Sequence, residues 1–421
     1  MANAKPFDIS KVVVAKAYRR IRSNGGTYGI DEQSLKDFDK DCQNNLYKIW
    51  NRMSSGSYMP PAVRRVEIPK KGGGKRPLGI PTVSDRIAQM VVKMQLEPLC
   101  EVVFHENSYA YRPKRSAHMA LDQARKRCWK YSWVLDLDIK SFFDSINQDL
   151  LMRAVRRHTQ ETWVLLYIER WLKAPVQLKN GEIEPRDCGT PQGSVISPLL
   201  ANLFLHYAFD KWMDINIPSC PFERYADDAI VHCHTYKQAL YVKQMLEARF
   251  AECGLTLHPE KTKIVYCKFG NKKRKIEDYP DVSFDFLGYT FKPRKIKARN
   301  KQGQEWSFTP AVSAKARKEM FRKIRKWKLK HRSEVTLEWI SENINPIVRG
   351  WILYYGKFRV SELKRIIQCI NYHLLRWTMW KYRKSRDKAF DWLKRICKTD
   401  PCLFVHWNRL RYGPIWTIRA V

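Results

Sequence analysis

The sequence is poor in acidic residues. Its 421 residues include 42 aspartates and glutamates against 78 lysines and arginines, which gives a formal net charge of +36. A charge of this size excludes the near-neutral surface of an ordinary small-molecule enzyme and predicts a polyanionic partner. Surface charge that serves only solubility is the alternative. The imbalance is greatest in residues 291–421, where 33 basic and 9 acidic residues give +24. The polyanion-binding surface is therefore expected mainly in the last third of the chain.

Regularly spaced cysteines are also missing. The 11 cysteines include no Cys-x-x-Cys pair, so their spacing does not support a zinc site. An odd number of scattered cysteines predicts reduced thiols. The start of the chain lacks a signal-peptide pattern, because Lys16 and Arg19 closely follow a short apolar run. The charge-free segment 188–209 is too rich in polar residues and proline for a membrane span. These absences predict a cytoplasmic protein with no zinc and no membrane partner.

Repeats and low-complexity tracts are absent too, while the hydrophobic fraction is 44%. Such a chain can build cores but is too long for one, so two to four domains are expected. Alternation predicts a strand over 133–139, a strand–turn–strand over 222–233 and a short strand over 284–291. A helix from residue 85 is expected to end or kink at Pro98. After residue 300 the pattern predicts a basic three-helix bundle, with Ser313 and Thr336 as helix caps.

Two adjacent aspartates, Asp227 and Asp228, stand at the predicted turn of the strand–turn–strand. Neighbouring carboxylates repel each other, and bound cations remove that repulsion. Mg²⁺ prefers oxygen ligands, and two ions about 3.5–4 Å apart can activate a 3′-hydroxyl and stabilise a leaving pyrophosphate. The third carboxylate would come from Asp138 on the strand over 133–139. A plain Asx-type turn without any ligand is the alternative for the pair.

Several motifs in a fixed order carry a family resemblance. The chain reads, in sequence, "GTYGIDEQSL", "RRVEIPKKGGGKRPLGIPTVSDRIAQ", "SYAYRPKRSAHMAL", "DLDIKSFFDSI", "GTPQGSVISPLLANLFL", "YADD", "GLTLHPEKTKIV", "FLGYTF" and "NPIVRGWILYYGKF". In this order they resemble the blocks of a group II intron-encoded reverse transcriptase, or maturase, of the form that lacks the C-terminal endonuclease domain. The resemblance runs from about Pro6 to Trp407. Ser194 and Ala110 depart from it, since many relatives have glycine there.

The resemblance implies an α+β right-hand polymerase, with fingers and a palm built on an antiparallel sheet, followed by an all-helical basic thumb. It implies an N-terminal extension of the fingers at residues 1–58 and a fingers and palm domain at 59–300. A thumb, or maturase domain, would follow at 301–385, with a short basic segment at 386–421.

The resemblance also assigns site residues. The catalytic carboxylates would be Asp138, Asp227 and Asp228, which would bind two Mg²⁺ ions together with the Ile139 carbonyl. The nucleotide site would comprise Lys70, Arg76, Ile139, Phe143, Gln192 and Lys261. The primer grip would be Phe286, Leu287 and Gly288, and the RNA-binding thumb residues would be Arg322, Arg325, Lys326, Lys330 and Arg349. Phe143 would be the gate against a ribose 2′-hydroxyl, with ordinary core packing as its alternative. Lys261 would lie near the pyrophosphate, with a solvated lysine as its alternative.

The implied activity is RNA-directed DNA polymerisation from an RNA template, a DNA primer and dNTPs. The resemblance further implies binding of the parent group II intron RNA to assist splicing and retromobility, with target DNA as another partner, in the prokaryotic cytosol near the nucleoid. Two alternatives stay open. One is a domesticated reverse transcriptase used in defence or repair, and the other is an RNA-binding maturase without polymerase activity.

Overall fold

The computed structural model describes residues 6–69, 74–267, 281–297 and 304–408. The chain divides into two compact units. The first unit comprises Met1–Ala120 and Val134–Ile264, and the second comprises Leu121–Trp133 and Val265–Val421. No helix within the described ranges is both long enough and apolar enough to cross a membrane.

The N-terminal half of the chain is mixed helix and strand. Its elements are α1 (Lys11–Asn24), α2 (Leu35–Lys40), α3 (Cys42–Ser54), β1 (Val63–Pro69), β2 (Lys75–Ile80), α4 (Val83–Glu101), α5 (Ala117–Lys130), β3 (Trp133–Leu137), α6 (Phe142–Ser145), α7 (Gln148–Arg156), α8 (Thr162–Lys173), β4 (Val176–Gln177) and β5 (Ile183–Glu184).

The remaining elements pass from further strands to helices. They are α9 (Ser197–Leu205), a π-helical turn (His206–Asp210), α10 (Lys211–Asn216), β6 (Phe222–Tyr225), β7 (Asp228–Cys233), α11 (Tyr236–Glu252), β8 (Lys263–Tyr266), β9 (Phe284–Phe286), β10 (Tyr289–Lys297), β11 (Gln304–Val312), α12 (Ala314–Lys326), a 3₁₀ turn (Leu329–His331), α13 (Leu337–Tyr355), a second 3₁₀ turn (Val360–Leu363), α14 (Lys364–Lys381), α15 (Arg386–Thr399) and α16 (Val405–Asn408).

Side-chain caps explain where several helices begin. The Ser34 hydroxyl accepts from the Asp37 N–H while the Asp37 carboxylate reaches back to the Ser34 N–H, which forms a capping box at α2. Ser313 and Thr336 cap α12 and α13, so both predicted caps are confirmed. The helix does not end at Pro98, because α4 continues to Glu101. Pro98 lies in the last turn, so the helix loses the one hydrogen bond that an N–H at this position would donate to the Met94 carbonyl.

Three sheets organise the strands. The first has the order β2-β1-β4-β5, in which β1 runs antiparallel to β2 and parallel to β4. The second has the order β6-β7-β3-β8, and β6 with β7 forms the predicted strand–turn–strand. The third has the order β11-β10-β9. Together with the helical C-terminal region, these antiparallel pairings confirm the predicted α+β class.

The single strand predicted over 284–291 is wrong, because a turn divides it. Leu287 has φ of 51° and Gly288 has φ of 79°, so the chain reverses between β9 and β10. Positive φ at both central residues is the signature of a tight two-residue hairpin turn. Strands β10 and β11 then pair antiparallel over nine positions on either side of residue 300.

The helical part of the second unit has one apolar core. Ile324 of α12, Ile340 of α13 and Ile370 of α14 are fully buried in it, as the predicted three-helix bundle requires. Helix α15 also contributes, since Ala389 and Leu393 are fully buried in the same core. The bundle therefore has a fourth helix that the apolar pattern did not reveal.

Candidate active site

The hairpin between β6 and β7 presents the paired aspartates. Tyr225 pairs with Asp228, so Ala226 and Asp227 form a two-residue turn. Ala226 has φ of 60°, a left-handed conformation in which a non-glycine residue is strained. A hydrogen bond holds the turn in this shape, because the Arg224 Nη1 group donates to the Ala226 carbonyl at 3.1 Å.

Arg224 is itself held by a buried network that sequence patterns did not reveal. Its side chain is 1% exposed, and it donates to both carboxylate oxygens of Asp210 at 2.6 and 2.5 Å. It also donates to Asn202 at 3.0 Å and to Ser108 at 2.9 Å. Asp210 ends the π-helical turn, a deviation from α-helix that is frequent at functional sites. The sequence holds one sign of this network, because Asp210 directly follows the charge-free segment 188–209.

The third carboxylate, Asp138, follows β3 directly, and β3 lies beside β7 in the second sheet. The backbone on both sides of Asp138 is paired. The Asp138 carbonyl accepts from the His258 N–H at 2.7 Å, and Ile139 forms a β-bridge with Leu257. The Asp138 carboxylate lies 3.3 Å from the Lys261 ammonium group. The predicted residues Asp138, Ile139 and Lys261 are therefore close neighbours.

The charge of Asp138 acts on both Asp227 and Asp228, and the charge of Asp227 acts on Asp228. Burial raises the pKa of Asp227, the nearby charge of Arg76 lowers it, and the charge of Asp138 raises it further. Burial, followed by the charges of Asp227 and Asp138, raises the pKa of Asp228 to about 6, against opposing effects of Arg76 and Lys261. Asp228 also reaches solvent, which screens part of this repulsion.

This donor set fits divalent cations that share their ligands with a substrate. In the part of the chain that the structure describes, no three Asp, Glu, His or Cys side chains are arranged to hold one metal ion by themselves. Mg²⁺ in phosphate chemistry takes only one or two carboxylates and completes its shell with phosphate and water. Carboxylates that raise one another's pKa are stabilised when such cations bind.

Two residues predicted for the nucleotide site meet beside these carboxylates. The Arg76 Nε group donates to the Gln192 side-chain oxygen at 2.9 Å. The Gln192 carbonyl accepts from the Gly79 N–H at 2.6 Å, which joins the loop to β2. The charge of Arg76 acts on both Asp227 and Asp228. The predicted residue Lys70 lies outside the described residues.

Phe143 is tightly enclosed on the short helix α6. Its side chain is 8% exposed, and its ring centroid lies 5.4 Å from that of Phe142. The Phe143 carbonyl accepts from the Thr190 N–H at 2.8 Å. Gly189 has φ of 76°, and a Cβ there would lie 2.7 Å from the Phe143 carbonyl oxygen. This packing fixes the ring whether it acts as a sugar gate or only fills the core.

Tyr111 is a further aromatic residue at the carboxylates that the motifs did not single out. Its side chain is 53% exposed and its φ is 56°. Burial raises the pKa of its hydroxyl, and the charges of Asp227 and Asp228 raise it further. The sequence holds no sign of this position beyond the presence of Tyr111 in the motif "SYAYRP".

The predicted primer-grip residues form the β9–β10 turn of the second unit. The Tyr354 hydroxyl donates to the Leu287 carbonyl at 2.8 Å. A Cβ at Gly288 would lie 3.0 Å from the Tyr355 hydroxyl, so glycine allows this close approach. Phe286 is buried, at 2% exposure. The turn is thus anchored on the end of α13.

The predicted RNA-binding cations of the second unit differ in their surroundings. Arg322 is paired with Glu319 at 2.6 Å, and the Lys330 ammonium lies 4.9 Å from the Trp380 ring centroid. Arg325, Lys326 and Arg349 are exposed. The exposed cations on α12 thus form a basic surface.

Comparison with known protein families identifies the family of this chain. The family described as reverse transcriptase (RNA-dependent DNA polymerase) matches residues 68–291. The chain belongs to the reverse transcriptase family. A second family, the group II intron maturase-specific domain, matches residues 317–397 of this reverse transcriptase. The predicted family, the right-hand polymerase fold and the enzyme class, RNA-directed DNA polymerase, are thereby confirmed.

Individual relatives agree with the family match. This reverse transcriptase is 30% identical to Protein YkfC of Escherichia coli (strain K12) over 349 residues, covering 72% of this chain and 85% of that protein. It is 37% identical to the group II intron-encoded protein LtrA of Lactococcus lactis subsp. cremoris over 200 residues, covering 47% of this chain and 33% of LtrA. A solved telomerase from Candida albicans, in complex with a fragment of telomeric RNA, has a TM-score of 0.44 at 12% identity. That alignment covers 91% of this chain and 68% of the telomerase chain.

Proposed function

We propose that this reverse transcriptase extends a DNA primer on an RNA template at a two-Mg²⁺ site formed by Asp138, Asp227 and Asp228. The observation that carries the proposal is the close approach of these carboxylates. Asp138 directly follows β3, and Asp228 begins the neighbouring strand β7. Burial raises the pKa of Asp227 and Asp228, and the charge of Asp138 raises both pKa values further. Neighbouring acidic residues whose pKa values are raised are typical of functional sites, and bound cations would offset the repulsion between their charges.

Each residue has a role in the proposed chemistry. Bound Mg²⁺ would supply charge neutralisation at the triphosphate and activation of the primer 3′-hydroxyl. The three carboxylates and the Ile139 carbonyl are its proposed ligands. Lys261, whose ammonium group lies 3.3 Å from the Asp138 carboxylate, would meet the pyrophosphate and give it a proton. Arg76 would bind the phosphates of the incoming dNTP, together with Lys70, and Gln192 would hold Arg76 in position.

A second role is proposed for the second unit, which would bind the parent group II intron RNA to assist splicing and retromobility at a DNA target. Support comes from the maturase-specific match over residues 317–397 and from the excess of basic residues there. A domesticated reverse transcriptase used in defence or repair would keep the same active site. An RNA-binding maturase without polymerase activity would not need the three carboxylates.

The experiment that tests the polymerase site is Asp227→Asn in primer extension on an RNA template. The amide keeps the shape of the side chain but removes a proposed metal ligand, so we expect at least a 1,000-fold slower incorporation, or about 4 kcal/mol in the transition state. RNA affinity should be unchanged or slightly tighter, because one negative charge is removed. Near-normal incorporation would remove Asp227 from the site.

Asp138 is tested in the same assay with Asp138→Asn. Its matched control is Asp136→Asn, which makes the same change two residues earlier, on β3. We expect Asp138→Asn to abolish incorporation and Asp136→Asn to retain most of it. The reverse result would transfer the catalytic role to Asp136. A splicing assay on the parent intron, run with Asp227→Asn, separates the two roles. Loss of splicing together with polymerisation would contradict an RNA-assisting role that is independent of the carboxylates.

A further inference from the structure

The second unit contains a cationic cavity that the polymerase chemistry does not use. Its volume is about 780 Å³, within the range of about 300–1,000 Å³ that is usual for ligand sites. Five of its eight lining residues are lysine or arginine and none is acidic. They are Lys330, Arg376, Lys381, Arg383 and Lys384. A lining of this charge is complementary to phosphate groups.

An exposed tryptophan lies in the same cavity. Trp380, in the last turn of α14, is 59% exposed, although an indole of this size is usually mostly buried. The Lys330 ammonium lies 4.9 Å from the ring centroid, which orients the ring through a cation–π contact. The ring is therefore held as a platform at the edge of a basic cavity.

The same face of α14 repeats this chemistry. Tyr372, Arg376 and Trp380 follow one another at four-residue steps, which places them on one helical face. Tyr372 is 43% exposed, and the Arg376 guanidinium lies 5.9 Å from its ring centroid. Aromatic rings alternating with cations on an exposed face are typical of proteins that bind single-stranded nucleic acid.

The backbone at the end of α14 is strained where it enters the cavity. Arg383 has φ of 47°, and the Lys384 N–H donates to the Met379 carbonyl at 3.2 Å. This is a helix-ending motif in which glycine is the usual residue at the left-handed position. An arginine there is conformationally unfavourable compared with glycine. Its side chain, however, lines the cavity, which explains an arginine at this position.

We propose that this cavity binds an unpaired nucleotide of a single-stranded RNA segment. The base stacks on Trp380, and the flanking phosphates contact Arg376, Arg383 and Lys384. Lys381 instead supports the wall, because its ammonium group donates to the Val335 carbonyl. In an intact duplex the base faces are covered by neighbouring pairs, so only an unpaired base can stack on the ring. The proposal rests on the RNA-binding role proposed above and identifies one place where it is exercised.

The test uses the full-length protein and two fluorescent probes, a 12-nucleotide single-stranded RNA of mixed sequence and a 12-base-pair RNA duplex. We expect Trp380→Ala to bind the single strand about 10-fold more weakly, with an unchanged salt dependence, because stacking carries no charge. Trp380→Phe should restore most of the affinity. The duplex should bind all three proteins alike. The matched control is Trp306→Ala, which removes a tryptophan 37% exposed beneath Lys295 but not in this cavity.

Arg383→Gly gives a second, independent measurement. Glycine relieves the left-handed strain, so the unfolding temperature should be unchanged or higher. Binding of the single strand should nevertheless weaken, and the log–log salt slope should fall by about 0.7, because one phosphate group is no longer neutralised. A purely structural arginine would show the opposite pattern, with a lower unfolding temperature and unaltered affinity.

The outcomes distinguish a failure of the cavity proposal from a failure of the proposed RNA-binding role. If the wild-type protein binds neither probe, the proposed RNA-binding role itself fails. If it binds the single strand and Trp380→Ala binds it equally well, the cavity proposal fails and the wider role stands. Equal weakening on the duplex would show that Trp380 supports a general binding surface, which also overturns the unpaired-nucleotide site.

Discussion

Arg224 and Asp210 form a fully buried, two-pronged ion pair beneath the turn that carries the paired aspartates. The guanidinium donates to one carboxylate oxygen at 2.6 Å and to the other at 2.5 Å, and a third N–H group holds the Ala226 carbonyl. The pair therefore connects the π-helical turn to the strained residue before Asp227. We infer that Arg224 and Asp210 are positioning residues for the proposed metal site.

We expect Asp210→Asn to affect both stability and catalysis. Removing one partner of a buried pair leaves an uncompensated charge, so the free energy of unfolding should fall by about 3–5 kcal/mol in denaturant titration. In the protein that remains folded, incorporation should slow at least tenfold and require more Mg²⁺. The control is Glu101→Gln, which breaks the two-pronged pair with Arg112. A normal Mg²⁺ requirement in Asp210→Asn would reduce the pair to a purely structural role.

The raised pKa of Asp228 predicts a pH dependence of stability in the absence of metal. Because the folded pKa of about 6 exceeds the ordinary value of 3.8, the folded state holds this proton more tightly than the unfolded state. The stability from the proton is present below pH 3.8 and is lost as the pH rises through about 6. With EDTA, the unfolding temperature should therefore fall between pH 5 and pH 7, and less so in Asp228→Asn.

The response of stability to Mg²⁺ distinguishes Asp228 from an acid such as Asp85 that has no proposed metal. Burial also raises the pKa of Asp85 to about 6. The Asp85 carboxylate, however, accepts hydrogen bonds from Trp171, Tyr58 and Gln89. Asp85→Asn should likewise flatten the pH dependence, yet keep the stabilisation by Mg²⁺ at pH 7, whereas Asp228→Asn should lose that stabilisation. An identical response of both variants to Mg²⁺ would argue against Asp228 as a ligand.

Sugar selection tests the role of Phe143. If the ring excludes a 2′-hydroxyl, Phe143→Val should raise ribonucleotide over deoxyribonucleotide incorporation about tenfold, or about 1.4 kcal/mol. Single-nucleotide extension with both substrates measures the ratio. Phe142→Val is the matched control, because it removes a neighbouring ring that is 2% exposed. Equal ratios in the two variants would leave Phe143 as core packing.

The basic surface of α12 and of the 3₁₀ turn that follows it predicts graded effects on RNA binding. Replacing Arg322, Arg325, Lys326 and Lys330 by glutamine should weaken binding and lower the log–log salt slope by about 0.7–0.9 for each phosphate group that is no longer neutralised. Single variants refine this expectation. Arg325→Gln should weaken binding more than Arg322→Gln, because Glu319 already pairs with Arg322 at 2.6 Å. Equal effects would show that Arg322 exchanges Glu319 for phosphate when RNA binds.

The sequence by itself determined the family, the α+β class and the strand–turn–strand with its paired aspartates. These features are local or depend on motif order, and period-two alternation around Asp227 and Asp228 is visible in a single segment. The helix caps at Ser313 and Thr336 were equally predictable, because a cap acts on the N–H groups two or three residues ahead. The Leu287–Gly288 turn was missed, since a non-glycine residue at positive φ has a weak sequence signal.

Only the tertiary structure decided which distant residues share an environment. Arg224 and Asp210 are separated by 14 residues, and Arg76 and Gln192 by 116, so neither pairing has a periodic signature. The raised pKa of Asp228 depends on burial, on the adjacent Asp227 and on Asp138, and no local pattern contains the burial or the approach of Asp138. Likewise, Lys330 meets Trp380 across the bundle only because the helices pack around a common core. Charge and motif order reveal the chemistry a chain can perform, whereas burial and long-range contacts determine where that chemistry takes place.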